Sequence, residues 1–159
     1  MTKSVEGEDM IYREEVRDLF SVSDDYYFAQ CISADFAMGA GIAMQFNRYF
    51  DTKNKLINKY GHSFEDRWDA FNEHGSCLLE GRVYNLITKK KAWMKPTYDT
   101  LKAALSAMKD MVANNPDVRK IAMPQIGCGL DQLQWDKVSE IIKKVFGELD
   151  VEILICKLK

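Results

Sequence analysis

Two kinds of apolar stretch alternate along this chain, and this alternation restricts its fold more than any other feature. Tyr27–Ser33 is a short run apolar enough for a central strand. Elsewhere apolar residues recur every three to four positions, most clearly at Leu101, Leu105, Met108 and Val112. Strands that alternate with amphipathic helices predict one layered α/β domain. The 159 residues suffice for a single core without cross-links.

The same patterns place the individual elements. Strands are predicted at residues 10–16, 27–33, 77–79, 83–88, 120–124 and 151–158. Helices are predicted at 42–49 and 52–60, within 62–74, between Thr97 and Asn114, and from Trp135 onward. Ligands bind such sheets outside the carboxyl ends of the strands, so the loops that follow strands are the candidates for a site.

Composition and charge narrow the class of partner. Hydrophobic residues make up 47% and charged residues 29% of the chain, as in soluble globular proteins. The net charge of −2 provides no general attraction to nucleic acid or to an anionic membrane. A small phosphate-bearing ligand stays compatible with this charge, because backbone amides alone can bind phosphate.

The spacing of cysteines and histidines argues against a metal site. None of Cys31, Cys77, Cys128 and Cys156 forms a CxxC pair, and neither His62 nor His74 lies near a cysteine. We therefore expect reduced, mostly buried thiols, no bound metal and no cofactor.

Residues 1–9 are polar and acidic, and we expect a flexible N-terminal segment ahead of a domain spanning 10–159. This segment lacks the apolar core of a signal peptide, and no apolar run approaches the length of a membrane span. The expected location is the cytoplasm, with the nucleus as an alternative in a eukaryote, and the expected state is a monomer without membrane contact.

The first candidate loop follows the strand at 27–33 and runs from Ser33 to Ala43. Gly39 and Gly41 permit positive φ and let a ligand approach the backbone. The helix that follows offers unpaired amides and the positive end of its dipole, so the loop is a candidate phosphate site. A glycine pair before a helix can equally be a tight turn.

The second candidate loop follows the strand at 120–124. It reads Pro124-Gln125-Ile126-Gly127-Cys128-Gly129-Leu130-Asp131 and again permits a concave run of amides. Two such loops at one sheet edge suggest a diphosphate held between them. On spacing alone, Asp131 is better explained as a loop-ending side chain that bonds nearby amides.

A third candidate is Lys89, the first residue after the apolar strand at 83–88. At the ligand edge its ammonium could balance diphosphate charge, or a desolvated amine could act as a nucleophile toward a sugar carbonyl. Spacing does not decide between these roles. For Lys90 and Lys91 we expect only a solvated face.

Four segments together resemble a known family: 31–43 (CISADFAMGAGIA), 86–90 (LITKK), 95–98 (KPTY) and 123–135 (MPQIGCGLDQLQW). They are similar, in order, to the macrodomain subgroup of terminal ADP-ribose protein glycohydrolase, also described as an O-acetyl-ADP-ribose deacetylase. The resemblance extends from about Ile11 to Leu158. It implies a three-layer α/β/α macrodomain with a central mixed sheet.

The resemblance also implies a ligand and roles for residues. ADP-ribose would occupy the cleft, with adenine near Asp18, the diphosphate across the two glycine loops and the distal ribose near Ser33. Lys89 could attack C1″ of that ribose, and Asp131 would resolve the adduct. The implied ligand-binding set is Asp18, Leu19, Ser33, Met38, Gly39, Ala40, Gly41, Ile42, Pro124, Ile126, Gly127, Cys128, Gly129 and Leu130.

The substrates implied by the resemblance are O-acetyl-ADP-ribose and mono-ADP-ribosyl esters on acidic protein side chains. Some relatives remove ADP-ribose from nucleic acid bases. Two other functions would use the same cleft. One is a non-catalytic ADP-ribose reader, and the other is a phosphatase acting on ADP-ribose 1″-phosphate, which the absence of histidine from both loops slightly disfavours.

Overall fold

A computed structural model describes residues 10–71 and 75–158. The predicted flexible segment 1–9, the end of the 62–74 stretch and Lys159 therefore lie outside the described residues. The described part contains a six-stranded mixed sheet with the order β1-β6-β5-β2-β4-β3. Only β3 is antiparallel to its neighbour, β4.

The sequence predicted these elements closely. The strands are β1 (Ile11–Val16), β2 (Tyr27–Ser33), β3 (Ser76–Glu80), β4 (Val83–Lys89), β5 (Lys120–Met123) and β6 (Glu152–Lys157). The helices are α1 (Ile42–Phe50), α2 (Thr52–Tyr60), α3 (Glu65–Phe71), α4 (Tyr98–Ala113) and α5 (Trp135–Phe146). Sequence analysis missed a short 3-10 helix at Leu19–Ser21.

Local chemistry explains why α4 begins where it does. The Thr97 side chain accepts a hydrogen bond from the Thr100 amide, and the Thr100 hydroxyl accepts one from the Thr97 amide, both at 3.0 Å. This reciprocal cap satisfies two amides that the helix leaves unpaired. The predicted stripe is buried, since Leu101 and Leu105 are fully inaccessible to solvent.

The sheet separates two layers of apolar packing. On one face, α4 and α5 pack Leu105 and Ile142 against strand residues such as Ile153. On the other face, α1 buries Phe46 beside Phe28, and α2 buries Leu56 beside a second strand cluster. These layers form the three-layer α/β/α arrangement that the resemblance implied.

Parallel pairing brings the candidate segments to one edge of the sheet. Strands β1, β6, β5, β2 and β4 run in the same direction, so their carboxyl ends meet there. Because β2 and β5 are neighbours, the two glycine loops emerge side by side. Lys89 ends the other neighbour of β2, and Asp18 follows β1 at the same edge. The prediction that both glycine loops share this edge is confirmed.

Within the described ranges, no helix combines the length and the apolar character that a membrane crossing requires.

Candidate active site

A lysine and a carboxylate meet at the carboxyl edge of the sheet. Lys89 Nζ donates a hydrogen bond to Asp131 Oδ1 over 2.6 Å. The side chain of Lys89 is 14% exposed and that of Asp131 is 15% exposed. The pair therefore combines shielding from bulk water with access from the cleft. The ionised pair has no net charge, and the distance allows direct proton transfer between the two groups.

The first glycine loop uses left-handed backbone at Gly41, where the sequence allowed it, and at two residues that the sequence did not indicate. Gly41 adopts φ 62° and ψ −146°, a combination that essentially only glycine tolerates. Phe36 (φ 56°) and Met38 (φ 48°) are also left-handed, whereas Gly39 is not. Strained non-glycine backbone persists only where the surrounding structure holds it in place, and such residues tend to cluster at ligand sites.

The same loop leads directly into α1. Gly41 is the N-cap of that helix and provides no side-chain hydrogen bond to its first amides. The Met44 amide donates to the Gly41 carbonyl at 3.2 Å, whereas the preceding amides of Ile42 and Ala43 can serve an anion, and the helix dipole adds partial positive charge. The loop has the features predicted for a phosphate site.

Asp35 ties the first loop to the segment that follows Lys89. Its Oδ1 accepts hydrogen bonds from the Ser33 hydroxyl and the Ala37 amide, and its Oδ2 accepts one from the Ala92 amide at 2.9 Å. Burial alone would raise the pKa of Asp35, but these hydrogen bonds outweigh it and leave the pKa below its usual value. An ionised Asp35 thus fixes two walls of the cleft relative to each other.

The second glycine loop closes on itself. Gly127 adopts φ 73°, and its carbonyl accepts a hydrogen bond from the Leu133 amide at 2.7 Å. The positive φ favours glycine at position 127, and a Cβ there would lie 3.0 Å from Leu133 Cδ1, so that side chain would have to shift slightly. Gly129 has neither requirement, since its φ is not left-handed and its surroundings are open.

The two glycine loops approach each other across the cleft. A Cβ built on Gly41 would lie 3.6 Å from Leu130 Cδ1, which is ordinary van der Waals contact. Leu130 is 64% exposed, so it is available to a ligand as well. The two loops therefore lie close together at the sheet edge, and that they hold a diphosphate between them stays a prediction.

Two thiols lie near the lysine–aspartate pair, and both have a raised pKa. Burial raises the pKa of Cys31, and the Asp131 carboxylate raises it further. Burial also raises the pKa of Cys128 to about 11. Both stay protonated near neutral pH, so neither is an activated nucleophile. All four cysteines are free; Cys77 and Cys156 are buried, and these two are partly exposed.

The expected adenine side is formed by the end of β1 and the 3-10 helix. Asp18 caps that helix, because its Oδ1 accepts from the Phe20 amide at 3.0 Å. Leu19 and Cys156 are buried in one apolar cluster. Phe20 stacks on the half-exposed ring of Tyr49 with centroids 4.3 Å apart. Asp18 thus has a structural role of its own at the ligand edge.

Exposure divides the predicted ligand-binding residues into three groups. The open group consists of Asp18, Gly39, Ala40, Gly41, Gly129 and Leu130. The partly buried group consists of Ile42, Pro124, Gly127 and Cys128. The buried group consists of Leu19, Ser33, Met38 and Ile126, each of which is at most 6% exposed. Residues of the buried group would meet a ligand chiefly through backbone atoms.

Sequence reasoning missed two contacts that shape the site. Asp35 was recognised as part of a motif but not as the residue that joins Ala37 to Ala92. Lys95 Nζ donates to the Leu130 carbonyl over 2.6 Å and so joins the segment after Lys89 to the second glycine loop. The sequence offered one signal for this role of Asp35. It lies two residues after a strand, where an aspartate often bonds nearby amides.

The structural relatives are macrodomains. No protein-family model matches the chain. The macrodomain of Thermus aquaticus DarG superimposes with a TM-score of 0.74 at 21% identity, covering 92% of this chain and 98% of that one. Thermosipho africanus DarTG in complex with ADP-ribose has a TM-score of 0.60 at 17% identity, covering 87% of this chain and 39% of that one. The fold is that of an α/β macrodomain.

Sequence relatives identify the family within this fold. ADP-ribose glycohydrolase OARD1 of Homo sapiens and of Bos taurus are each 42% identical over 139 residues, which cover 87% of this chain and 86% of each relative. The chain therefore belongs to the family of ADP-ribose glycohydrolases that these proteins represent. The macrodomain and the hydrolase class inferred from the sequence are thereby confirmed.

Proposed function

We propose that this protein binds ADP-ribose in the cleft between its two glycine loops and hydrolyses esters of the distal ribose. Its substrates are mono-ADP-ribose linked to acidic protein side chains and O-acetyl-ADP-ribose. The 2.6 Å contact between Lys89 Nζ and Asp131 Oδ1 carries this proposal, because it places an amine and a carboxylate together beside two anion-binding loops. The OARD1 relatives, which are named ADP-ribose glycohydrolases, and the DarTG structure in complex with ADP-ribose support the ligand.

The loops would position the substrate through its diphosphate. The uncapped amides at the start of α1 and the turn at Gly127 provide donors on opposite sides of the cleft. Asp131 follows the second loop, and Lys89 neighbours the first through a hydrogen bond from the Ala34 amide to the Lys89 carbonyl at 2.9 Å. A diphosphate held by both loops directs the distal ribose toward the pair. Positioning of this kind can provide much of a rate enhancement.

One chemical route uses Lys89 as the nucleophile. Asp131 accepts a proton from Lys89, whose free amine forms a bond to C1″ while the C1″–O bond to the acceptor carboxylate breaks. The carboxylate is a good leaving group and departs without a proton. Asp131 then releases its proton to solvent. Water attacks C1″ of the adduct, the N–C1″ bond breaks, and the proton of the attacking water passes through Asp131 to the departing amine, which restores the Lys89 ammonium and the Asp131 carboxylate.

The other route is direct hydrolysis. Asp131 accepts a proton from a water molecule that attacks C1″, and the Lys89 ammonium stabilises the departing carboxylate. Both routes require Asp131, but only the first requires a nucleophile at residue 89. The two therefore differ in the effect of Lys89→Ala and in whether a covalent adduct can be trapped.

Release of acetate from O-acetyl-ADP-ribose tests the function. We expect Asp131→Ala to lower kcat by about 10²–10⁴-fold, the range typical of a lost general acid or base. Asp69→Asn is the matched control, because it removes an exposed carboxylate from the neighbouring Lys90 and should leave kcat within about twofold. Undiminished turnover in Asp131→Ala would remove that residue from the mechanism.

Two further outcomes would select the alternative functions. Tight ADP-ribose binding by calorimetry without product from the wild type would define a reader. Faster release of phosphate from ADP-ribose 1″-phosphate than of acetate from the ester would define a phosphatase. Mass spectrometry of the wild type quenched during turnover separates the two routes, because an adduct on Lys89 forms only in the first.

A further inference from the structure

The segment 90–96, which joins Lys89 to α4, is attached to both glycine loops. The Ala92 amide donates to Asp35 in the first loop, and Lys95 Nζ donates to the Leu130 carbonyl in the second. Within the segment, the Met94 amide donates to the Lys91 carbonyl at 3.0 Å. These bonds give the segment a fixed course along the rim of the cleft, next to the reacting pair.

This rim exposes large apolar side chains. Trp93 is 78% exposed, Leu130 is 64% exposed and Met94 is 37% exposed. We call these three residues the Trp93 rim. A tryptophan that is 78% exposed is only slightly stabilised by the fold, and its burial against another molecule would remove a large apolar area from water. Exposed apolar side chains on an ordered surface next to a cleft are typical of a binding site.

The lysines around the rim are already matched by acceptors. Lys90 Nζ lies 2.8 Å from Asp69, Lys91 pairs with Glu65, and Lys95 bonds the Leu130 carbonyl. Single-stranded nucleic acid is bound by aromatic platforms together with a groove of free positive charge. This rim has the aromatic platform, but α3 neutralises two of the cations. Its chemistry therefore favours an uncharged, partly apolar partner over a polyanion.

We propose that the Trp93 rim binds the polypeptide that carries the ADP-ribosyl ester, next to the modified side chain. This inference rests on the proposed function, because it assumes that C1″ lies at Lys89 and Asp131. Trp93 follows Lys89 by four residues, and four residues span at most about 14 Å. Peptide residues within about four positions of the esterified side chain can therefore reach the rim.

Two substrates that are both esters of the distal ribose but differ in size test this proposal. O-acetyl-ADP-ribose has no flanking chain, whereas a peptide bearing ADP-ribose on a glutamate does. For Trp93→Ala we expect KM for the peptide to rise at least tenfold, the loss typical of an aromatic anchor, with kcat nearly unchanged. Both constants for the acetyl ester should stay within about twofold of the wild type.

Two control variants accompany this experiment. Trp93→Phe keeps an aromatic platform and should restore most of the peptide KM. Ile11→Ala removes an exposed apolar side chain at the opposite edge of the sheet and should leave both substrates unaffected. Because Trp93 is largely exposed, its replacement should leave the unfolding midpoint within the range of ordinary surface substitutions.

Three results would overturn the proposal. Unchanged peptide kinetics in Trp93→Ala would remove the rim from recognition. An equal loss on both substrates would mean that Trp93 supports the reacting pair instead of the peptide. A loss on an ADP-ribosylated single-stranded oligonucleotide, with none on the peptide, would assign the rim to nucleic acid. A wild type inactive on every ester contradicts the proposed function itself. The affinities of wild type and Trp93→Ala for the ADP-ribosylated peptide, compared by calorimetry, then decide on the rim separately, and equal affinities would overturn it.

Discussion

Lys89 and Asp131 are 42 residues apart in the chain and 2.6 Å apart in space. Sequence spacing could place Lys89 directly after a strand and Asp131 at the end of a loop that follows another strand, but it could not pair them. On spacing alone Asp131 is a loop-ending side chain, whereas its Oδ1 is bonded to Lys89. The pairing depends on β4 and β5 flanking β2, which local sequence does not encode.

Gly41 offers a test of the first loop at the scale of one residue. Its φ of 62° with ψ −146° is strained for any residue with a side chain, although a Cβ would meet only Leu130 at an ordinary 3.6 Å. We expect Gly41→Ala to lower the free energy of unfolding by about 1–3 kcal/mol, through backbone strain. Chemical denaturation measures this loss, and ADP-ribose affinity should fall with it.

Gly39→Ala is the matched control for this prediction. Gly39 is two residues away in the same loop, without positive φ, and the nearest atom to an added Cβ is 3.9 Å away. Replacement there should change stability by less than about 1 kcal/mol. Equal losses in the two variants would show that backbone conformation is not what requires glycine at position 41.

At the scale of elements, Asp35 joins the loop after β2 to the segment after β4. The hydrogen bonds it accepts depress its pKa, so the folded state favours the ionised carboxylate. At pH values above the pKa of an unfolded aspartate, about 3.9, this preference stabilises the folded protein. The stabilisation is lost as the pH falls through the lower pKa that Asp35 has in the folded protein. The contribution is therefore complete near neutral pH and absent in strong acid.

Asp35→Asn isolates this contribution. At pH 7 we expect the variant to be less stable than the wild type by about 1–2 kcal/mol, since hydrogen bonds to a charged group are lost and the site is partly screened by solvent. The difference should shrink as pH falls below about 4. Urea denaturation of both proteins across this pH range measures it. A difference independent of pH would mean that the carboxylate charge is not what holds the two segments.

The elements themselves were largely predictable, and their contacts were not. The stripe from Leu101 to Val112 and the apolar run of β2 locate helix and strand because burial imposes their periodicity. The 3-10 helix after Asp18 was missed because three residues carry no periodicity. Left-handed Phe36 and Met38 were also missed, since neither residue type signals positive φ.

At the scale of the whole molecule, the strand order of the sheet brings the parts of the cleft together. Five parallel strands direct their carboxyl ends to one edge, and two neighbouring strands lead into loops with the left-handed glycines Gly41 and Gly127. The sequence predicted this edge from a general rule for α/β sheets. The strand order that sets the two loops side by side became known only from the structure.

A crystal structure of the protein with ADP-ribose tests the central claim most directly. The account predicts the diphosphate between the loops of Gly41 and Gly127, with C1″ of the distal ribose about 3–3.5 Å from Lys89 Nζ, the separation of a reactive contact. Asp131 would lie within hydrogen-bond reach of the same centre. A distal ribose directed away from Lys89, toward the end of β1 or into solvent, would contradict the account.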